Sequence, residues 1–278
     1  MSSGSIFSYS VGKKLIMGLT GLFLVSFLLV HVSGNLLLFR ADGGVAFNEY
    51  TKFMTTNPMI KTLEWVLFGG FIVHIIYAAV LTASNRKARP EGYAYKKGAS
   101  KSSSWLSRNM GLSGTVILVF LVVHLVMFWG YYHFGAGEET TLRDAYTQVW
   151  KVTELTVDGE SMTAYKNEVD QVVWKKGGYI TEYVYKQLKE KTVTVKGISM
   201  TEVVKYSFSQ VWIVLLYVIA MVLLALHLNH GFQSAFRSLG LVHKKYTPAV
   251  IMLGKLVGII IPIIFALMPI WYFIQSLS

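Results

Sequence analysis

Apolar residues run along the chain in five long stretches, roughly 14–39, 62–85, 109–133, 207–235 and 247–276, with polar linkers between them. A bilayer core about 30 Å thick is crossed by about 20 residues of helix. Each stretch is therefore long enough to span, and the fold expected is all-α, a five-helix transmembrane bundle forming one domain over residues 1–278. The linkers are short except 134–206, which mixes charges with aromatics and carries β-favouring runs such as Tyr179-Ile180-Thr181-Glu182-Tyr183-Val184-Tyr185. That segment reads as an extramembrane insertion holding a small hairpin. The first stretch, Leu15 to Phe39, is too long for a signal h-region and no A-x-A-like site follows it, so it is expected to stay as a membrane helix. Pro262 and Pro269 inside the last stretch fit a kinked helix, which membrane bundles tolerate.

Composition agrees: 53% of residues are hydrophobic and 15% charged, richer in apolar and poorer in charged residues than an ordinary soluble domain. The absence of cysteine excludes disulfides, covalent c-type haem and iron–sulfur ligation by this chain. A net charge of +11 could suit nucleic acid, but the charge sorts by membrane side, so no nucleic-acid partner is expected. Lys13, Lys14, Arg86, Lys87, Arg89, Lys96, Lys97, Lys101, Arg108, Arg237, Lys244 and Lys245 flank one face against the single acid Glu91. The other face sets Arg40, Lys52, Lys61 and ten basic residues of the long linker against 14 acids. The positive-inside rule then puts the N-terminus in the cytoplasm, and the C-terminus and the insertion in the periplasm, of a bacterial inner membrane.

Ionisable side chains inside a bilayer cost several kcal/mol unless paired or ligated. Four of the seven histidines lie deep, one in each of spans one to four: His31, His74, His124 and His227. At about 1.5 Å per residue, His31 lies 17 residues beyond Lys14 and His124 lies 16 beyond Arg108, both roughly 25 Å from the inner surface. His74 lies 12 residues before Arg86 and His227 lies 10 before Arg237, both roughly 15–18 Å up. A lone membrane histidine more often hydrogen-bonds a neighbouring helix than ligates metal, but two matched pairs on four helices suit two stacked haems. His31 with His124 would hold an outer haem, and His74 with His227 an inner one. An iron with two protein ligands has no open position and favours electron transfer. Gly18, Gly21, Gly34, Gly69, Gly70, Gly111 and Gly114 would leave room for flat macrocycles, or serve close helix packing. His133 and His243 read as solvated, while His230 could ligate, bind a propionate or line a quinone pocket.

At these residues the chain resembles the cytochrome b anchor subunit of the succinate dehydrogenase and fumarate reductase family (succinate:quinone oxidoreductase), in its five-helix, di-haem form. The resemblance covers every span. It rests on His31-Val32-Ser33-Gly34-Asn35, on His74 with Tyr77 one turn on, on Trp105-Leu106-Ser107-Arg108 with Gly111 and His124, and on His227-Leu228-Asn229-His230-Gly231-Phe232-Gln233-Ser234-Ala235-Phe236. The last stretch looks most like the Bacteroidetes-type branch and favours His227 over His230 as ligand. The resemblance implies two haem b groups and partner flavoprotein and iron–sulfur subunits anchored at the cytoplasmic face. It also implies respiratory electron transport between succinate and membrane menaquinone, in either direction, so that enzyme activity belongs to the complex. Two departures stand out: the linker of about 73 residues is longer than the family's, and Ala225 stands where some fumarate reductases have a glutamate two residues before the fourth ligand.

Propionates need cationic or hydrogen-bonding partners, for which Arg108, Lys255 and Lys14 are inner candidates and Asn35 and Arg40 outer ones. Glu49 could exchange protons with quinone at the outer side, as an alternative to simple solvation. A bc-type cytochrome b puts two ligands on each of two helices, unlike this chain. Anchors of hydrogenase or formate dehydrogenase type, and a structural anchor without haem, are further alternatives. So is a haem-free transporter using the histidines as a proton relay. Such a transporter should carry an internal repeat, and none is evident on this reading.

Overall fold

The computed structural model describes residues 9–42, 44–88, 105–134, 138–141, 152–157, 160–166, 172–176, 179–180, 192–195 and 200–277. Five helices are long and apolar enough to cross a membrane: Ser10–Phe39, Pro58–Lys87, Arg108–Phe134, Val211–Ser238 and Thr247–Ser276. The chain is therefore a multi-pass membrane protein, as the hydropathy pattern requires. The chain packs as two compact units, one comprising Met1–Ser33, Pro58–Val122 and Val211–Ser278, the other Gly34–Asn57 and Val123–Gln210.

The first unit holds most of the spans. Helix α1 (Ser10–Asn35) opens span one, α3 (Pro58–Lys87) is span two, and α4 (Trp105–His124) begins span three. Span four is α7 (Val211–Ser238) and span five α8 (Thr247–Ser276). Val25 and Val32 of span one, Leu228 and Phe232 of span four, and Val257 and Ile261 of span five form a buried cluster. Spans four and five approach closely because Gly254 and Gly258 face Phe232 and the backbone of Asn229; a Cβ on Gly258 would stand 3.0 Å from the Asn229 nitrogen. Small residues permitting such contact are the usual basis of helix association in lipid. By contrast no residue of α3 is buried. Gly240, at φ 73, ends α7 in a Schellman turn: the Leu241 N–H donates to the Phe236 carbonyl at 2.9 Å and the Gly240 N–H to that of Arg237 at 3.2 Å. The last span continues helically through both prolines, which are themselves buried.

The second unit begins with the end of α1, a 3₁₀ turn (Leu36–Phe39) and α2 (Val45–Thr56). Asp42 anchors the start of α2, its carboxylate accepting from the Gly44 N–H at 2.9 Å and the Ala46 N–H at 3.1 Å. An anionic acceptor suits a helix N-terminus. Span three ends here in a π-helical turn (Leu125–Gly130) and a short helix α5 (Tyr131–Phe134). Six antiparallel strands follow: β1 (Glu138–Thr141), β2 (Val152–Val157), β3 (Glu160–Lys166), β4 (Val172–Lys176), β5 (Tyr179–Ile180) and β6 (Thr192–Val195). Their order is β1-β6-β2-β3-β4-β5, with Val157 opposite Glu160 and Lys176 opposite Tyr179. The insertion is thus a full sheet, larger than the hairpin expected. Of the run proposed for that hairpin, Tyr179 and Ile180 form β5, while 181–185 lie outside the described residues. Helix α6 (Met200–Phe208) buries Met200, Thr201, Val204, Ser207 and Phe208, one stripe at helical spacing. It packs on α2, where the buried Thr201 N–H donates to Asn48 Oδ1 at 3.0 Å and the Thr201 hydroxyl lies 3.2 Å from both the Gly44 carbonyl and Asn48 Oδ1.

Candidate functional site

Two of the four deep histidines sit in matching surroundings within the first unit. On span one, the Thr20 hydroxyl lies 2.8 Å from the Ile16 carbonyl, one turn back, and 3.1 Å from His74 Nδ1 on span two. On span three, the Ser113 hydroxyl lies 3.1 Å from the Met110 carbonyl and 3.5 Å from His227 Nδ1 on span four. A hydroxyl has one hydrogen to give. With that hydrogen on the helix carbonyl, the oxygen accepts from the imidazole, which assigns the proton to Nδ1. The Nε2 of each ring is then a lone-pair donor, the form in which histidine binds metal. Neither Nε2 makes a hydrogen bond among the described residues.

A glycine follows each hydroxyl residue and lies under the ring. A Cβ on Gly21 would stand 3.5 Å from His74 Cε1, and one on Gly114 would stand 3.5 Å from His227 Cε1. One turn earlier, Gly18 meets Ala235 of span four and Gly111 meets Thr82 of span two. Ala235 lies eight residues after His227, and Thr82 eight after His74. Spans one and two are therefore related to spans three and four, contact by contact.

That correspondence exposes a repeat that the sequence reading missed. Met17-Gly18-Leu19-Thr20-Gly21 matches Met110-Gly111-Leu112-Ser113-Gly114, and Phe27-Leu28-Leu29-Val30-His31 matches Phe120-Leu121-Val122-Val123-His124, at a constant offset of 93 residues. Eight of the fifteen positions from Met17 to His31 are identical in the second copy. The expectation of no internal repeat is overturned. It failed because a whole span and its linkers separate the copies, and most of the matched positions are apolar residues that any membrane span carries. The repeat makes His124 the counterpart of His31, and the hydroxyl contacts make His227 the counterpart of His74.

His31 is half-buried, with its ring stacked on Phe27 at 5.3 Å between centroids and tilted against Phe265 of span five at 5.4 Å. His124 falls in the second unit, at the last residue of α4 before the π turn, 5.2 Å from the Phe128 ring. Single π turns inside membrane or soluble helices recur at functional sites. His230 shares a hydrogen bond of 3.1 Å with Ser234 one turn on.

The remaining candidates disperse. Arg108, Lys14 and Lys255 are exposed. Lys255 lines a groove of about 580 Å³ with Lys244, Thr247, Pro248, Ile251 and Met252, and no histidine is among its walls. In the second unit Arg40 pairs with Asp42 at 3.7 Å, Asn35 is half-buried at the end of α1, and Glu49 is exposed on α2. His243 is exposed, as expected. His133 is not simply solvated: its Nδ1 lies 2.8 Å from the Trp129 carbonyl and its ring stacks on Trp129 at 4.5 Å. Aromatic neighbours along the same turn hold it there. Among the described residues no three His, Asp or Glu side chains gather as a metal cluster. No protein-family model, curated protein or solved structure matches the chain.

Proposed function

We propose that the chain is the di-haem cytochrome b membrane anchor of a succinate:quinone oxidoreductase, carrying electrons between an iron–sulfur subunit and membrane menaquinone. The observation that carries this reading is the duplicated arrangement in which a span hydroxyl meets Nδ1 of each of His74 and His227, which suits ligation through Nε2. Hydrogen bonding of the second ring nitrogen is the usual companion of histidine ligation. The residues at His74 and His227 fit the group: two imidazoles, each with a glycine against its ring. His74 and His227 would hold an inner haem, and His31 and His124 an outer one; bound there, haem would supply one-electron chemistry.

The chain's own residues do the rest. Thr20 and Ser113 orient the inner rings, Phe27 and Phe265 hold His31, and the apolar spans keep water from the site. The flavin and clusters belong to partner flavoprotein and iron–sulfur subunits on the basic, cytoplasmic face, consistent with the lack of cysteine. His230 and Glu49 are the quinone-site candidates. Arg108, Lys14, Lys255, Asn35 and Arg40 are the propionate candidates.

The repeat also favours a second reading, a haem-free proton-relay transporter, because many transporters are built from repeats. A relay needs donors and acceptors in series, whereas the Thr20 and Ser113 hydroxyls end on backbone carbonyls of their own helices. That weighs for ligation. Purification in mild detergent, a dithionite-reduced minus oxidised spectrum and a pyridine haemochrome count separate the two. Two haems b per chain are expected, falling to about one in His31→Ala or His227→Ala. No haem in membranes of a host that supplies it would sink the electron-transfer reading and leave the transporter.

A further inference from the structure

The two histidine–hydroxyl contacts are alike in design but unequal in length. Thr20 Oγ1 stands 3.1 Å from His74 Nδ1, with its hydrogen held by the Ile16 carbonyl at 2.8 Å. Ser113 Oγ stands 3.5 Å from His227 Nδ1, with its hydrogen held by the Met110 carbonyl at 3.1 Å. The Thr20 hydroxyl also reaches the Met17 carbonyl at 3.2 Å, and it is the contact to the ring that is shorter on the Thr20 side. A hydrogen bond weakens as its length approaches 3.5 Å, so Thr20 polarises its imidazole more than Ser113 does. The branched threonine is also stiffer at χ1, which holds the acceptor in place.

We propose that Thr20 and Ser113 are positioning residues for the inner haem: they fix the tautomer and rotation of His74 and His227 and lower the potential of that haem, Thr20 more strongly. The proposal rests on the di-haem reading above. An N–H that donates to an oxygen leaves its ring more electron-rich at the other nitrogen. A more electron-rich ligand stabilises ferric over ferrous iron, and hydrogen bonding around the ligands is one of the levers that set haem potential. The rings cannot find an equivalent acceptor in the lipid-facing direction, because hydrocarbon offers none.

Redox titration of the purified chain, followed by the α-band and by low-temperature EPR, tests this. In Thr20→Val one haem is expected to shift toward the reduced form by about tenfold in its redox equilibrium, 59 mV for one electron, with an altered low-spin EPR signal. The other haem should keep its midpoint and g value. Thr20→Ser should restore most of the shift, and Ser113→Ala should move the same haem by less. Thr115→Val serves as control, since the Thr115 hydroxyl is exposed on span three and bonds only the Gly111 carbonyl at 2.8 Å. Wild-type potentials and EPR signals in both Thr20→Val and Ser113→Ala would overturn the proposal, as would equal movement of both haems in each. If Thr20→Val does not assemble, Ser113→Ala decides by the same criteria. A wild-type chain without haem fails at the earlier step and refutes the di-haem reading itself.

Discussion

At the residue scale, three positions are constrained by what touches them. Gly258 has the Asn229 backbone against it, and backbone cannot rotate aside as a side-chain tip can. Gly258→Ala should lower the thermal midpoint of the detergent-solubilised protein, by the equivalent of about 1–3 kcal/mol for overpacking, measured by unfolding in detergent. Asn48 accepts the Thr201 N–H in a buried setting. Asn48→Ala orphans that donor and should destabilise the second unit by about 1–3 kcal/mol, seen as earlier proteolysis between α2 and α6. Tyr50, half-buried on α2 under Gly34, has its phenol pushed above the ordinary value by burial. A folded pKa above the unfolded one means the stabilisation is complete below about pH 10 and is lost as pH rises beyond it. Tyr50 should therefore ionise later than exposed tyrosines in an ultraviolet titration, and Tyr50→Phe should flatten the alkaline fall in stability.

At the element scale, the informative unit is a pair of spans rather than a helix. Each pair sets a Gly-x-Thr/Ser-Gly segment of one helix against a histidine of the next, and closes on the neighbouring pair through Gly18 with Ala235 and Gly111 with Thr82. Residues Thr20, Ser113, Thr82 and Ala235 received no role from hydropathy, because nothing in an apolar average distinguishes a hydroxyl that meets a ring from one that bonds its own helix. The repeat in residues 17–31 and 110–124 carried the signal. Of the sheet, only a small hairpin was expected from the sequence, although Asp158-Gly159 and Gly177-Gly178 stand in it as dipeptides typical of hairpins. A prediction follows at this scale. If the two pairs close on one inner haem, as proposed, His74→Ala and His227→Ala should each abolish one haem, and the double variant should retain the same one haem as either single. Such non-additivity, read by the haemochrome count, is the mark of partners in one site.

For the whole molecule, the two units divide the work. The first unit contains His31, His74 and His227, the second His124 and the inserted sheet. Losing a ligand that binds only the folded state lowers stability. On the di-haem proposal, the chain expressed under haem depletion should therefore unfold at a lower temperature than the haem-replete protein, and added haemin should reverse the difference in the wild type but not in a variant lacking all four histidines. Equal melting temperatures in the two preparations would argue that the first unit is stabilised by helix packing alone.

The sequence by itself determined that five helices cross a bilayer, because burying unpaired backbone in hydrocarbon is so costly that about 20 apolar residues can hardly be anything else. It also determined that one deep histidine lies on each of four spans, since position along a helix translates directly into depth. Only the tertiary structure decided which hydroxyl meets which ring and that the insertion pairs β1 with β6. Those contacts join residues from 54 to 114 positions apart, or strands at opposite ends of the insertion. Facing of one helix by another depends on packing around the helix axis, which hydropathy along the chain does not encode.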